Sequence, residues 1–233
     1  MIKTVTLNKT IGEKTILNDI NITVNQGETV GILGPNGAGK STILKIIGGL
    51  MKPSFGHVMI DNVSLKENNL QIKKKIGFLA HNSYLYEHLS PVENLTFFGK
   101  LYQVNQLENK VKEMIREVGL QFFMNEPVRS FSRGMIQRLA IVRAIVHDPS
   151  ILILDEPHTG LDQQAIDILN KVILKKKKQR TTILMVTHDL TQAIESCDRF
   201  ILMKKGVIID DFVLEGKNVH QLKEIYLRQV GYT

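Results

Sequence analysis

The 233-residue sequence predicts an α/β fold with a mostly parallel sheet, an antiparallel β flank and an inserted α-helical subdomain. Three apolar runs rich in β-branched residues predict buried parallel strands, at Thr29–Leu33, Ile151–Leu154 and Thr182–Val186. Each run is followed directly by a glycine or by polar residues. Because the carboxyl ends of parallel strands meet at one edge of a sheet, we expect the functional site there.

The segment between residues 89 and 147 changes to helical periodicity. Apolar residues recur three and four positions apart over Val92–Tyr102, Glu108–Val118 and Met135–Val146. The first ~30 residues and Phe55–Val63 alternate as short antiparallel strands do. We therefore predict one domain, 1–233, in which about 1–81 and 147–233 form the core and flank and about 82–146 the helical subdomain.

The C-terminal part of the sequence predicts two further elements. A hairpin is expected over Phe200–Val213, turning at Lys204–Gly206, and a closing helix over Val219–Arg228.

Composition describes an ordinary globular chain, with 43% hydrophobic and 23% charged residues. No apolar run approaches the roughly 18 residues that would cross a bilayer. The N-terminus MIKTVTLNKT lacks the apolar core of a secretory signal. We therefore expect a cytoplasmic protein that reaches the inner face of the cell membrane only through a partner subunit.

The formal net charge of +7 permits contact with an anionic partner through Lys73–Lys75 or Lys175–Lys178. The second cluster follows the helical stretch Ala165–Leu174, which favours a solvated helix end. With no Trp and few other aromatics, no basic surface interleaved with rings is evident, and no nucleic-acid partner is expected. The single cysteine, Cys197, has no neighbour at metal-ligand spacing and is interpreted as a packed thiol.

Residues 34–41 read GPNGAGKS and match the phosphate-binding pattern G-x-x-x-x-G-K-[ST] between a strand and the helical stretch Ser41–Gly49. The glycines let backbone N–H groups curl around an anion, and the helix start adds its positive dipole end. Lys40 would reach the β- and γ-phosphates, and Ser41 would ligate Mg²⁺. The candidate ATP-binding residues are Gly34, Pro35, Asn36, Gly37, Ala38, Gly39, Lys40, Ser41 and Thr42.

Acidic residues and a histidine follow the other two predicted strands. Asp155 would hold Mg²⁺ through water, and Glu156 would act as the base that orients the attacking water. His188 would lie within reach of a γ-phosphate. Such residues on their own more often mark a solvated strand end and a structural histidine, but the phosphate loop upstream favours catalysis. The candidate catalytic residues are Glu156, His188 and Lys40, and the candidate metal ligands are Ser41 and Asp155.

Five motifs stand in one order and together resemble ABC ATPases from Ile2 to Val213. They are Gly34–Ser41, Phe131–Arg138, Asp155-Glu156-Pro157, Gly160-Leu161-Asp162 and Thr187-His188-Asp189. The resemblance implies a P-loop core and a Mg-dependent ATPase that works as a dimer, by default a homodimer, with an integral-membrane permease subunit. It also implies that Ser132 and Gly134 contact ATP held by the opposite protomer, that Leu161 and Asp162 couple the two sites, and that His188 is the switch histidine.

Three departures from the family pattern are evident. Ile11 precedes Gly12 where the family usually stacks an aromatic ring on adenine, so we expect Ile11 to join the ATP-binding residues through weaker apolar contact with adenine. The resemblance makes Phe131–Arg138 the family's signature motif. In it Arg133 replaces the first glycine, where it could add charge to the phosphates, and Met135 replaces the usual glutamine. His81 stands where a glutamine normally ligates Mg²⁺; imidazole suits this hard cation poorly, so we expect His81 to act through water or not at all.

The segments Leu79–Ser83, Leu89–Leu95 and Phe131–Met135 resemble the ATPase of the haem exporter of cytochrome c maturation. Drug and polysaccharide exporters share most of these residues. The resemblance places the cleft for the membrane subunit beside His81–Leu101 and favours export. A non-transport ABC ATPase acting on a protein scaffold, as in iron–sulfur cluster assembly, also fits the length. ATP binding without turnover is disfavoured by Glu156 and His188.

Overall fold

The computed structural model describes residues 1–65, 70–80, 82–214, 216 and 218–231, so His81 lies outside the described residues. Strands in this part of the chain are β1 (Ile2–Ile11), β2 (Lys14–Ile20), β3 (Thr23–Val24), β4 (Thr29–Leu33), β5 (Phe55–Ile60), β6 (Val63–Ser64), β7 (Ile76–Leu79), β8 (Ile151–Asp155), β9 (Thr182–Val186), β10 (Arg199–Lys204) and β11 (Val207–Phe212). Helices are α1 (Lys40–Ile47), α2 (Leu70–Lys73), α3 (Pro91–Leu101), α4 (Leu107–Glu117), α5 (Arg133–Ile145), α6 (Gln163–Lys178), α7 (Leu190–Ser196) and α8 (Val219–Val230).

The larger sheet has six strands in the order β11-β10-β4-β9-β8-β7, all parallel except β11. Every residue of β4, β8 and β9 is buried, which explains their continuous apolar sequences. The predicted mostly parallel sheet is confirmed. Because β4, β9 and β8 are neighbours, the residues that follow them meet at one edge of the sheet.

The smaller sheet is antiparallel, in the order β2-β1-β5-β6 with β3 paired to β1, and confirms the predicted flank. Helix α1 is enclosed between the two sheets. Its Ile43 and Ile47 share one buried cluster with Ile32 of β4 and with Ile2 and Ile60 of the flank. This packing fixes the start of α1 relative to β4.

Helices α3, α4 and α5 pack through a second apolar cluster that includes Leu95, Val111 and Leu139. Helix α3 begins with a capping box, in which Ser90 accepts from Glu93 N and the Glu93 side chain accepts from Ser90 N. Helix α5 begins two residues before the predicted start. Ser132 caps the helix, since its hydroxyl accepts from the backbone N–H of Met135. The sequence-based prediction did not use this cap and therefore began the helix too late.

Helix α6 is longer than the stretch Ala165–Leu174 and carries the lysine cluster in its last turn. The interpretation of this cluster as wholly solvated is wrong for Lys176, whose residue surface is only 4% exposed. Its ammonium pairs with Asp148 at 3.2 Å, and the next residue, Lys177, pairs with Asp198. Acidic residues on other segments, distant in sequence, therefore hold the end of α6 against the body of the protein.

The C-terminal elements agree with the sequence-based prediction. Strands β10 and β11 form the predicted hairpin, and α8 follows it. Cys197 is buried and packs beside β4, where a Cβ built on Gly31 would lie 3.0 Å from its Sγ. None of the helices in the described ranges is both long and apolar enough to span a membrane.

Substituting Asp148 tests its contact with Lys176 at the end of α6. Asp148 has φ 50 and accepts from Lys110 as well as Lys176. Burial raises its pKa, but the two lysines outweigh burial and the pKa lies below its usual value. We expect Asp148→Asn, which tolerates the same φ, to lower the free energy of unfolding at pH 7 by about 1 kcal/mol, since the carboxylate is largely exposed.

Urea unfolding with Asp167→Asn as the control measures this difference. A lowered folded-state pKa stabilises the protein above the unfolded value of about 3.9 and ceases to do so as pH falls through the folded pKa. The difference between wild type and Asp148→Asn should therefore vanish in acid. Equal midpoints at pH 7 would show that the contact contributes nothing.

Candidate functional site

The loop between β4 and α1 has a backbone that only glycine can adopt at two positions. Gly34 has φ 151, and a Cβ built on it would lie 2.2 Å from the carbonyl oxygen of Met203. Gly39 has φ 96 and caps α1, where a Cβ would lie 2.9 Å from Ile16 O. The close approach of β10 and β2 therefore fixes the loop, which presents its N–H groups at the start of α1.

Lys40 is buried at the base of this loop. Its Nζ donates to the carbonyl oxygens of Gly34 at 2.7 Å and Pro35 at 3.0 Å. Burial lowers the pKa of Lys40, while the charges of Glu156 and Asp155 act in the opposite direction. The ammonium is therefore held where phosphate oxygens would offer it stronger, charged acceptors than two carbonyls.

Ser41 and Asp155 meet at the catalytic edge, which is the edge of the larger sheet where β4, β9 and β8 end. The Ser41 hydroxyl donates to Asp155 Oδ1 at 2.8 Å. Burial raises the pKa of Asp155, and the hydrogen bond from Ser41 and the charges of Lys45 and Lys40 only partly counter it. A cation would stabilise this buried carboxylate. A hydroxyl and a carboxylate are oxygen ligands of the kind that Mg²⁺ prefers, so the residues fit this ion.

No group of three or more His, Cys, Asp or Glu side chains that could hold a metal occurs among the described residues. Ser41 and Asp155 alone would leave most of an octahedral shell open. Phosphate oxygens and water would have to complete it, as they usually do for Mg²⁺ in phosphoryl-transfer sites.

Glu156 and His188 form a pair at the same edge. His188 Nδ1 lies 2.7 Å from Glu156 Oε2, and the His188 backbone N–H donates to the same oxygen at 3.3 Å. An ionised carboxylate only accepts, so a hydrogen bond to ionised Glu156 requires the proton on His188 Nδ1. Glu156 has φ 51, a conformation that is uncommon outside glycine, and its N–H donates to Val186 O at 2.8 Å. Such strain is typical of functional sites.

A cavity of about 820 Å³, the size of a small-molecule site, lies beside the phosphate loop and the Glu156–His188 pair, and Lys40, Ser41 and Asp155 are not among its lining residues. Its lining includes Gly34, Pro35, Asn36, Gly37, Ala38, Glu156, Thr159, Thr187 and His188. The wall is completed by Leu190, by Lys204 at the end of β10 and the next residue Lys205, and by Tyr226, Val230 and Gly231 at the end of α8. The sequence-based prediction missed this second group, because only tertiary packing brings α8 to the phosphate loop.

The signature segment lies against residues 160–162 of the same chain. A Cβ on Gly134 would lie 2.3 Å from Asp162 Oδ2, and a Cβ on Gly160 would lie 2.3 Å from Arg133 Nη2. Asp162 also caps α6, accepting from Ala165 N at 2.7 Å. Ser132 is exposed and is not among the residues that line the phosphate-loop cavity. Within one chain the structure therefore does not bring the signature segment to the phosphate loop.

Three other candidate residues stand apart from the cavity. Ile11 is 52% exposed at the end of β1, next to Gly12 at φ 57, and is not among the residues that line the cavity. Leu161 packs against the larger apolar cluster. Met135 also packs on that cluster from the first turn of α5.

Comparison with known proteins places these motifs in a family. The family model described as ABC transporter matches residues 17–159. The chain is 38% identical over 203 residues to the ABC transporter ATP-binding protein NatA of Bacillus subtilis, covering 86% of this chain and 82% of NatA. It is 33% identical over 230 residues to the lantibiotic transport ATP-binding protein SrtF of Streptococcus pyogenes, covering 99% and 97% of the two chains.

A solved structure supports the same family assignment. An ATP-binding cassette in a dimeric post-hydrolysis state, bound to ADP and Pi, superposes with a TM-score of 0.83. It is 30% identical and the match covers 93% of this chain and all of the other. The phosphate loop, the acidic pair Asp155 and Glu156, and His188 therefore belong to an ABC ATPase fold. The chain belongs to the ABC transporter family and is an ATP-binding, ATP-hydrolysing subunit.

Proposed function

We propose that the chain hydrolyses Mg·ATP as one half of a dimer and thereby drives a separate membrane subunit of an exporter. The observation that carries this proposal is the convergence of Lys40, the Ser41–Asp155 pair and the Glu156–His188 pair on one edge of the sheet. These groups supply a phosphate anchor, oxygen ligands for a metal and a base beside a histidine.

Phosphates of ATP would bind the backbone N–H groups of the loop and the start of α1. Lys40 would exchange the carbonyls of Gly34 and Pro35 for β- and γ-phosphate oxygens. Ser41 would hold Mg²⁺ directly and Asp155 would hold it through water. The metal would neutralise the charge that develops on the transferring phosphoryl group.

Glu156 would accept a proton from the attacking water. Its Oε2 faces His188, so the water would bind Oε1 or replace His188 at Oε2. The His188 side chain is 68% exposed and so has room to turn toward the γ-phosphate. The contact between Glu156 and His188 in the chain without nucleotide fits a resting state in which the base is hydrogen-bonded to the histidine.

The second protomer would complete the site through Ser132 at the start of its α5, whose N-terminal dipole end favours an anion. Arg133 packs on Gly160 of its own chain, so we propose that it fixes the signature against the loop of Leu161 and Asp162. The dimeric state of the ADP-bound neighbour supports the pairing. A homodimer is the simplest arrangement, because all the motifs of one site occur in this chain.

Export is supported by the relative named for lantibiotic transport and by the resemblance to the haem-exporter ATPase. The transported substrate is selected by a subunit other than this chain. We propose that residues 82–146 act as a helical subdomain that transmits closure to a permease docked beside residues 81–101. The protein would then lie on the cytoplasmic face of the membrane. The transporter names of the relatives favour this function over iron–sulfur scaffold assembly.

Replacing the base tests the hydrolytic step. We expect Glu156→Gln to lower ATP turnover by about 10²–10⁴-fold, since the amide cannot accept the proton from water. ATP binding should persist and a stable ATP-bound dimer should accumulate, measured by phosphate release and size-exclusion chromatography. Glu195→Gln on the exposed face of α7 is the matched control. Turnover close to wild type would remove Glu156 from this role.

Mixing two defective variants tests the shared site. Lys40→Met removes the phosphate anchor, and Ser132→Asp keeps a good helix cap but places a negative charge opposite the γ-phosphate. Each variant alone should lose most of its ATPase activity. Their mixture should regain activity, because one of the two sites in a mixed dimer is intact. Ser132→Asn, a neutral cap, serves as the control, and an inactive mixture argues against a site shared between protomers.

Co-purification tests the transport function. The tagged chain, taken from detergent-solubilised membranes of its own cells, should bring down one polytopic membrane protein in about equal amount. Mass spectrometry would identify it. Recovery of an iron–sulfur scaffold protein in place of a membrane subunit would support a role in cluster assembly.

A further inference from the structure

Two side-chain hydrogen bonds connect the loop after Glu156 to the helix after His188. His158 Nε2 lies 2.9 Å from Asn170 Oδ1 in the middle of α6. Asn170 Nδ2 donates in turn to Gln192 Oε1, at 3.4 Å, in the first turn of α7. Three segments that are separate in sequence are therefore joined. We name the side chains of His158, Asn170 and Gln192 the His158 bridge.

The Asn170 amide sets the direction of both hydrogen bonds in the bridge. Its Nδ2 donates to Gln192 and its Oδ1 accepts, so the bond with His158 requires the proton on Nε2. In that neutral tautomer His158 Nδ1 can only accept, and it is buried without a hydrogen-bond partner among the described residues. A buried polar atom without a partner costs free energy. The ring therefore adds less to stability than a fully paired histidine would.

The bridge begins two residues after the proposed base. The Glu156 N–H donates to Val186 O, which ties the end of β8 to the end of β9. Beyond this bond one segment enters the turn of residues 156–159 and the other leads into α7. The Thr159 N–H closes the turn on Glu156 O at 3.2 Å. His158 lies within this turn, so the bridge holds the loop of the base to α6 and to the start of α7.

The other end of the bridge lies next to His188 in sequence. Asp189 follows His188 and caps α7, accepting from the N–H groups of Thr191 and Gln192. The cap thus holds the backbone N–H of Gln192, and Asn170 holds its side chain. The bridge therefore helps to fix the first turn of α7, and with it the backbone from which His188 projects.

We propose that the His158 bridge keeps Glu156 and His188 in register during ATP hydrolysis, which makes His158 a positioning residue. The proposal rests on the proposed function. In the chain without nucleotide, Glu156 and His188 also contact each other directly, with Oε2 and Nδ1 2.7 Å apart. This contact would break when His188 turns toward the γ-phosphate, whereas the bridge would persist. A misplacement of about 1 Å can cost about 10²-fold in rate, so the bridge would sustain turnover.

Replacing His158 by leucine tests the bridge, and glutamine is the conservative variant. Leucine removes the donor, while the amide nitrogen of glutamine can take the place of Nε2. We expect His158→Leu to lower kcat about tenfold and His158→Gln to keep kcat within about twofold of wild type. The KM for ATP should stay within about twofold in both variants, because no bridge residue lines the cavity beside the phosphate loop. Steady-state phosphate release measures both constants.

Urea unfolding separates positioning from stability. Leucine also removes the buried nitrogen that lacks a partner, so His158→Leu should unfold at nearly the same urea concentration as wild type. A fall in kcat at an unchanged unfolding midpoint, restored by His158→Gln, supports the positioning role. An unchanged kcat in His158→Leu, or no recovery in His158→Gln, would overturn it.

Substituting the far end of the bridge keeps the test independent of the folding of His158→Leu. Gln192→Leu should lower kcat by a similar factor, and the double variant should be no slower than either single variant, because each breaks the same bridge. Gln221→Leu is the matched control and should leave kcat unchanged, since Gln221 holds the same third position in α8 and its N–H also donates to the helix cap. Effects that multiply in the double variant contradict a shared bridge.

The failure of the bridge can be told apart from the failure of the proposed function. If Glu156→Gln abolishes turnover while both leucine variants remain fully active, only the bridge is overturned. If the wild-type chain hydrolyses no ATP, the proposed function is overturned, and the role of His158 with it.

Discussion

The hydrogen bond between Ser41 and Asp155 is the contact on which the catalytic edge depends. It joins α1, which follows β4, to the end of β8, although β9 lies between these two strands. Asp155 is buried and Ser41 is half-buried, and burial raises the pKa of Asp155 because the single hydroxyl does not compensate its carboxylate fully. In the chain alone, the buried carboxylate of Asp155 therefore lacks enough positive charge beside it, and a metal bound together with phosphate would supply that charge.

Backbone constraint acts beside this contact. The loop before α1 lies so close to β10 and β2 that Gly34 and Gly39 cannot carry a side chain. Glu156 takes a left-handed conformation directly after a strand that is buried along its whole length. The packed sheet overdetermines these conformations, so the strain is carried by the core and the site is preorganised before nucleotide arrives.

Much of this arrangement could be predicted from the sequence. Strands β4 and β9 have the predicted bounds, because residues buried on both faces leave an uninterrupted apolar run between polar ends. The end of α6 could not be predicted, since Lys176 is buried by tertiary packing and pairs with Asp148, which is distant in sequence. Lys204 and Tyr226 reach the cavity through the packing of the hairpin and α8, which no local pattern encodes. The role of Ser132 needs a second chain, and His81 lies outside the described residues.

Helix α8 contributes Tyr226 and Val230 to the wall of the nucleotide cavity, at the far end of the chain from the phosphate loop. Any protein segment fused after this helix would begin at the rim of that cavity. Evolution or engineering could thus attach a sensor domain that narrows the entrance for nucleotide while every catalytic group stays unchanged.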